Sequence, residues 1–212
     1  MKKLFLSATL LMIALASSAQ ISQGSWVTGG TIKFSASSSD ASTTSSNEFR
    51  FSPQTYYTLN DHWGVGGGIN FDMQTDKYTG TNETKNTTTT FGISPGVRYY
   101  GSISKTVTCY GQGNVCFNAG TTKYSYEYGG NTVENKSNIT DFGARIIPGI
   151  MWSPKSNVIL DFNYGSLSYD HVSTKADGAD ESFSDSDFNL SFNPWCICVG
   201  FYYAFGNTAV VE

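Results

Sequence analysis

Few residues in this 212-residue chain could do chemistry. Tyr169, His171 and Ser173 alternate, with Glu181 a short way on. Hydroxyl, imidazole and carboxylate are the parts of a triad in which the base activates the serine and the acid orients the base. The other histidine, His62, follows Asn60 and Asp61 in a turn-like tripeptide. Four cysteines form two close pairs, Cys109 with Cys116 and Cys196 with Cys198. The first two are an odd number of residues apart and so face opposite ways on an extended strand. The second pair points in parallel from one strand, which no disulfide geometry bridges. No histidine stands near either pair to complete a metal set, so no metal site and no cofactor is expected. Asp170, Asp177, Asp180, Glu181, Asp185 and Asp187 crowd one segment against a single Lys175. Carboxylates are hard ligands for calcium, but the spacing of a defined calcium loop is missing, and the segment reads as solvated and mobile.

The elements that must carry these residues follow from a two-residue period. Apolar and polar residues alternate over eight stretches, roughly 25 to 36, 47 to 59, 63 to 75, 88 to 100, 106 to 126, 139 to 152, 157 to 171 and 187 to 205. Each is a strand whose two faces meet different surroundings. Phe49, Phe51, Pro53, Thr55 and Tyr57, for example, alternate with Glu48, Arg50, Ser52, Gln54 and Tyr56. Short turns follow the second, fourth and sixth strands, at Asn60 to His62, Gly101 to Lys105 and Ser153 to Ser156. Long polar loops are expected at about 37 to 46, 76 to 87, 127 to 138 and 172 to 186. Turns on one side and long loops on the other are the asymmetry of outer-membrane barrels.

Aromatics on the apolar face fall at two heights. Trp26, Tyr57, Trp63, Tyr99 and Trp152 lie near the turn end, and Phe34, Phe49, Phe71, Phe91, Phe117 and Phe142 near the loop end. Several of these pairs stand eight residues apart, a rise of about 20 Å at the usual strand rise and tilt, close to the apolar height of an outer-membrane barrel. The expected fold is therefore all-β: an eight-stranded antiparallel up-and-down transmembrane β-barrel. Its polar face would put Lys33, Glu48, Arg50, Asp72, Arg98, Asp141, Arg145 and Asp161 inside, four basic against four acidic, as a cross-linked plug. The turn at Asn60 and Asp61 pairs Arg50 with Asp72 there, out of reach of most water. Prolines recur on the even strands, as Ser52-Pro53, Ser94-Pro95-Gly96, Ile147-Pro148-Gly149 and Asn193-Pro194-Trp195. A proline removes a ladder donor, so these read as a ring of bulges or kinks.

Ahead of the strands, Lys2 and Lys3 precede an apolar run to Ala16 and then Ser17, Ser18 and Ala19, the pattern of a secretory signal peptide spanning 1–19. Its removal takes thirteen basic residues to eleven against seventeen acidic ones, and the formal charge from −4 to −6. A nucleic-acid partner is excluded on that balance. The expected division is signal peptide 1–19, barrel 20–205 and a short periplasmic tail 206–212.

The chain resembles the small outer-membrane β-barrel family that includes the OmpA, OmpX and OmpW types. The likeness rests on the leader, the eight strands, the girdles, the repeated Pro-Gly-x-x-aromatic element and an aromatic last strand, Phe201, Tyr203 and Phe205. It implies integral placement in the outer membrane of a Gram-negative cell with both termini periplasmic. The barrel-assembly machinery, outer-membrane lipid and lipopolysaccharide are the implied partners. The Tyr-x-His-x-Ser element resembles that of lipid A deacylase barrels. Unbroken alternation from the lipid-facing Val158, Leu160 and Phe162 turns His171 and Ser173 to the lumen side or above the membrane, away from an acyl chain, so no catalytic residue is assigned. The expected role is non-enzymatic: structural, or surface interaction of the four long loops with an unknown extracellular partner. A narrow conduit for small solutes is the alternative, and a lipid A-modifying hydrolase a distant one. Eight strands enclose a space that inward side chains fill, which favours the first.

Overall fold

The computed structural model describes residues 21–39, 43–80, 83–128, 131–155, 157–163, 165–191 and 198–206. The expected signal peptide, the tail after Gly206, and Pro194, Trp195 and Cys196 lie outside these residues. Ten strands follow in order: β1 (Trp26–Ser39), β2 (Thr44–Thr58), β3 (Trp63–Thr79), β4 (Glu83–Ser102), β5 (Val107–Tyr128), β6 (Asn131–Lys155), β7 (Val158–Asn163), β8 (Ser166–Ala176), β9 (Phe183–Ser191) and β10 (Cys198–Phe205). Strands β1 to β7 pair in sequence, and β10 closes the ring between β7 and β1, all antiparallel. The result is an eight-membered barrel. It matches the sequence pattern because one face of every strand is apolar and the other polar.

The apolar face points outward. Phe34 is 74 % exposed, and Ile32, Phe91, Ile146 and Phe201 are similarly bare. The buried set is mixed and lies inside, with Tyr56, Tyr100, Tyr110 and Tyr202 beside Arg98, Gln112 and Asp161. So large an exposed apolar surface is the inverse of a water-soluble core and calls for a hydrocarbon surround.

Three departures from the expected strands matter for function. First, the segments expected as long loops are largely paired strand. The ladders of β3 with β4 and of β5 with β6 run out to Thr79↔Glu83 and Tyr128↔Asn131, so Lys85 and Lys136 sit in ribbons extending past the girdles.

Second, Pro53 and Pro95 interrupt the ladder to the next strand without shifting it. These two and Pro148 each face a glycine of the preceding strand, as Gly30↔Pro53, Gly67↔Pro95 and Gly111↔Pro148. The β2–β3 ladder lapses at Ser52 and Pro53 and resumes in the same register. The β4–β5 ladder does likewise at Ser94 and Pro95. Proline lacks the donor that the next strand needs, so a gap replaces the expected bulge. At Pro148, β6 changes partner: it pairs with β7 from Gly149 downward and with β8 from Ile146 upward.

Third, the expected strand 157–171 breaks at Gly165, whose φ of 116° favours glycine. Met151 opposes Asp161 in β7, but Ile146 opposes Leu167 in β8, one residue out of step. A one-residue slip turns every later side chain to the opposite face. The β8–β9 ribbon continues the wall of β6 in this flipped phase.

Candidate functional site

The lumen has two tiers. At the turn end, Arg98 on β4 is 1 % exposed. Its guanidinium lies 4.3 Å from the ring centre of Tyr56, 4.5 Å from Tyr110 and 5.2 Å from Tyr202, stacking geometry that favours a cation on a π face. Its Nε donates to Gln112 Oε1 at 3.0 Å and its Nη2 to the same oxygen and to Gln54 Oε1. Tyr202 donates to Gln54 Oε1 at 3.2 Å, Tyr110 to Asp161 Oδ2 at 3.1 Å and Tyr56 to Asn114 Oδ1 at 3.3 Å. Inward glycines make room for these rings: a Cβ at Gly149 would lie 2.3 Å from Tyr110 Cζ. Ile21, ahead of β1, joins the same buried cluster. Five strands of the ring, β2, β4, β5, β7 and β10, thus contribute to a cross-braced plug.

The loop-end tier is open to water. Lys33 Nζ lies 2.6 Å from Glu48 Oε2, Arg50 Nη2 3.0 Å from Glu48 Oε1 and Arg50 Nε 2.6 Å from Asp72 Oδ2. The Lys33 and Arg50 side chains are 46 % and 47 % exposed, so this chain of pairs lines a vestibule and is not the sealed bridge expected from the sequence. Arg145 pairs with Asp170 at 3.2 Å, and Asp141 accepts from Asn118 Nδ2 at 2.8 Å. Of the eight charges expected as one network, only Arg98 and Asp161 belong to the plug. Asp170, read from the sequence as part of a mobile acidic loop, instead sits on β8 facing the lumen.

Outside, the girdle aromatics meet across neighbouring strands. Trp26 meets Tyr57 at a tilt and Trp63 meets Tyr99 edge-on, each at 5.0 Å between centroids, at the turn end with Trp152. Phe49 meets Phe71 at 6.2 Å and Phe117 meets Phe142 at 5.1 Å at the loop end, with Phe34 and Phe91 exposed at the same level.

The family model described as the outer membrane protein beta-barrel domain matches residues 5–193. The chain belongs to that family. Membership makes it an integral outer-membrane barrel of a Gram-negative cell. No curated protein matches the chain. Among solved structures it is similar to Ail, the attachment invasion locus protein of Yersinia pestis, at 18 % identity over 86 % of this chain and 99 % of that one, TM-score 0.39. Neisserial surface protein A (NspA) gives 18 % identity over 86 % and 98 %, TM-score 0.36. OprG of Pseudomonas aeruginosa gives 13 % over 89 % and 99 %, TM-score 0.38.

Within this family barrel, the hydroxyl and imidazole groups of β8 take an unexpected side. The slip at Gly165 turns Tyr169, His171 and Ser173 outward, in line with Phe142 and Ala144 of β6. His171 and Ser173 therefore do not turn to the lumen side, as unbroken alternation from Val158 would require. His171 Nδ1 lies 2.8 Å from Ser186 Oγ and Ser173 accepts from Ser184 at 3.3 Å, so each is occupied by a serine of β9. Glu181 lies in the connection between β8 and β9 and takes no part in these two contacts. Cys109, Cys116 and Cys198 are free thiols, and no cluster fit to hold a metal ion occurs among the described residues.

The plug was the part that sequence reasoning missed, since only its two charges were named. The signal was present in the doublets Tyr56-Tyr57 and Tyr99-Tyr100. An alternating strand can give only one ring of each doublet to the girdle, and the other has to enter the lumen.

Proposed function

We propose that this barrel is a closed, non-enzymatic outer-membrane protein with a structural or surface-interaction role, exercised through the four ribbons that extend beyond the loop-end girdle. Those ribbons face the cell exterior, and the turn end, with both termini, faces the periplasm. The observation that carries this reading is the Arg98 plug. A guanidinium buried among three tyrosine rings and two glutamines, braced from five strands, fills the lumen at the turn end and supports a closed barrel. What remains for function is the outer surface and the vestibule.

Purified protein reconstituted in a planar bilayer is the direct test. The expected result is no steady ion conductance from the unmodified chain. A stable conductance would overturn the closed-barrel reading and install the alternative, a narrow conduit for small solutes entering through the half-exposed Lys33–Glu48–Arg50–Asp72 vestibule.

A further inference from the structure

The charges of the barrel are sorted by type and side. All three arginines face the lumen, whereas five lysines, Lys77, Lys85, Lys123, Lys136 and Lys175, share the outward phase of the girdles. Four of them repeat one spacing. Lys77 stands six residues beyond Phe71, Lys85 six beyond Phe91, Lys123 six beyond Phe117 and Lys136 six beyond Phe142. An even spacing keeps each lysine on the face of its phenylalanine, and one common spacing puts all four at one height on β3 to β6. Lys175 on β8 opposes Asn138, two residues from Lys136, and extends the row.

Two features mark the row as built for something outside the chain. Lys77 is directly opposite Lys85, and Lys123 directly opposite Lys136. Like charges facing across a ladder destabilise it. Among the described residues neither pair takes part in an ion pair; the ion pairs there involve other side chains. The outward carboxylates Glu83, Glu127 and Glu134 stand further from the girdle than the lysines of their strands.

We propose that this lysine row is a binding surface for the acidic saccharide headgroup of an outer-leaflet glycolipid. Height decides between lipid classes. Six residues rise about 15 Å beyond the girdle at the usual strand rise and tilt. A phospholipid headgroup layer reaches only about 5 to 8 Å past the hydrocarbon edge. Anionic groups at the level of the lysines therefore belong to a sugar headgroup that projects further, with phosphates or carboxylates set among paired ammonium groups. The proposal rests on the outward orientation of the ribbons given above.

The test uses the full chain in detergent with three probes: a rough lipopolysaccharide with a phosphorylated core, the same glycolipid after chemical removal of phosphate, and phosphatidylglycerol. The expected result is salt-sensitive binding of the first and weak binding of the other two. A lysine near an anionic surface is worth about fivefold in binding. The variant carrying Lys77→Gln, Lys85→Gln, Lys123→Gln and Lys136→Gln should lose at least roughly tenfold on that scale. Its unfolding midpoint without lipid should stay level or rise, since repulsion is removed. Should the fourfold variant misfold, the two cross-strand pairs are replaced separately, each with a loss of several-fold expected. Unchanged binding by the folded variants, or equal binding of phosphatidylglycerol, overturns the proposal. Labelling of Lys123→Cys and Lys105→Cys by an impermeant reagent on intact cells reports the orientation independently. A label at 105 with none at 123 refutes the orientation without altering the binding result.

Discussion

Arg98→Ala is the perturbation with the largest expected consequence. The side chain is 1 % exposed and touches Tyr56, Tyr110, Tyr202, Gln54 and Gln112. Truncation takes the Arg98 donors from the Gln112 oxygen and one of three donors from the Gln54 oxygen, and strands Asp161 without the cation that faces it, all inside the wall. Removing one partner from a buried charged network costs about 3 to 5 kcal/mol, mostly from the groups left behind. Stacking adds roughly 0.5 to 2 kcal/mol, not additively, since the same guanidinium serves three rings. Urea unfolding in lipid, followed by gel mobility of unboiled samples, should show a loss of at least about 3 kcal/mol. The double variant Arg98→Ala with Asp161→Asn should lose less than the two single changes together, because neither charge is then stranded. In a planar bilayer Arg98→Ala should conduct where the unmodified barrel does not. A variant within about 1 kcal/mol of the parent that also stays closed would refute the plug as both brace and seal.

Asp72→Ala should be mild, about 0 to 1 kcal/mol by the same unfolding assay, because Arg50 is 47 % exposed and keeps Glu48 as a partner. A loss as large as that of Arg98→Ala would mean that the vestibule is dry. Gly149→Ala pushes a methyl against the Tyr110 ring and should destabilise by roughly 1 to 3 kcal/mol. An unaltered midpoint would show that the ring has space to move. Spin labels at Asp170 and His171 should separate cleanly, the label at 170 relaxed by a water-soluble reagent and that at 171 by oxygen dissolved in lipid. The reverse pattern would restore the unbroken alternation.

The sequence by itself determined the class of fold, because its main signals are local. Alternation over eight stretches, short turns after the second, fourth and sixth strands, and rings at two heights each depend only on neighbours a few residues apart. Phe49 and Tyr57 could be placed on one face without knowledge of any other strand. Arg50 could be set opposite Asp72 because a tight turn fixes the register of its own hairpin. What depended on distant parts of the chain was decided by the tertiary structure alone. One residue of slip at Gly165 is invisible to a period of two, yet it reversed Tyr169, His171 and Asp170. The exchange of partners by β6 at Pro148 required β8 to be present. Exposure separated Lys33 and Arg50 from Arg98, although all three share the polar face, because dryness depends on which side chains arrive from across the barrel. Tyr110 comes from the neighbouring strand β5, but Tyr202 reaches Arg98 from the last strand, and only ring closure brings it there.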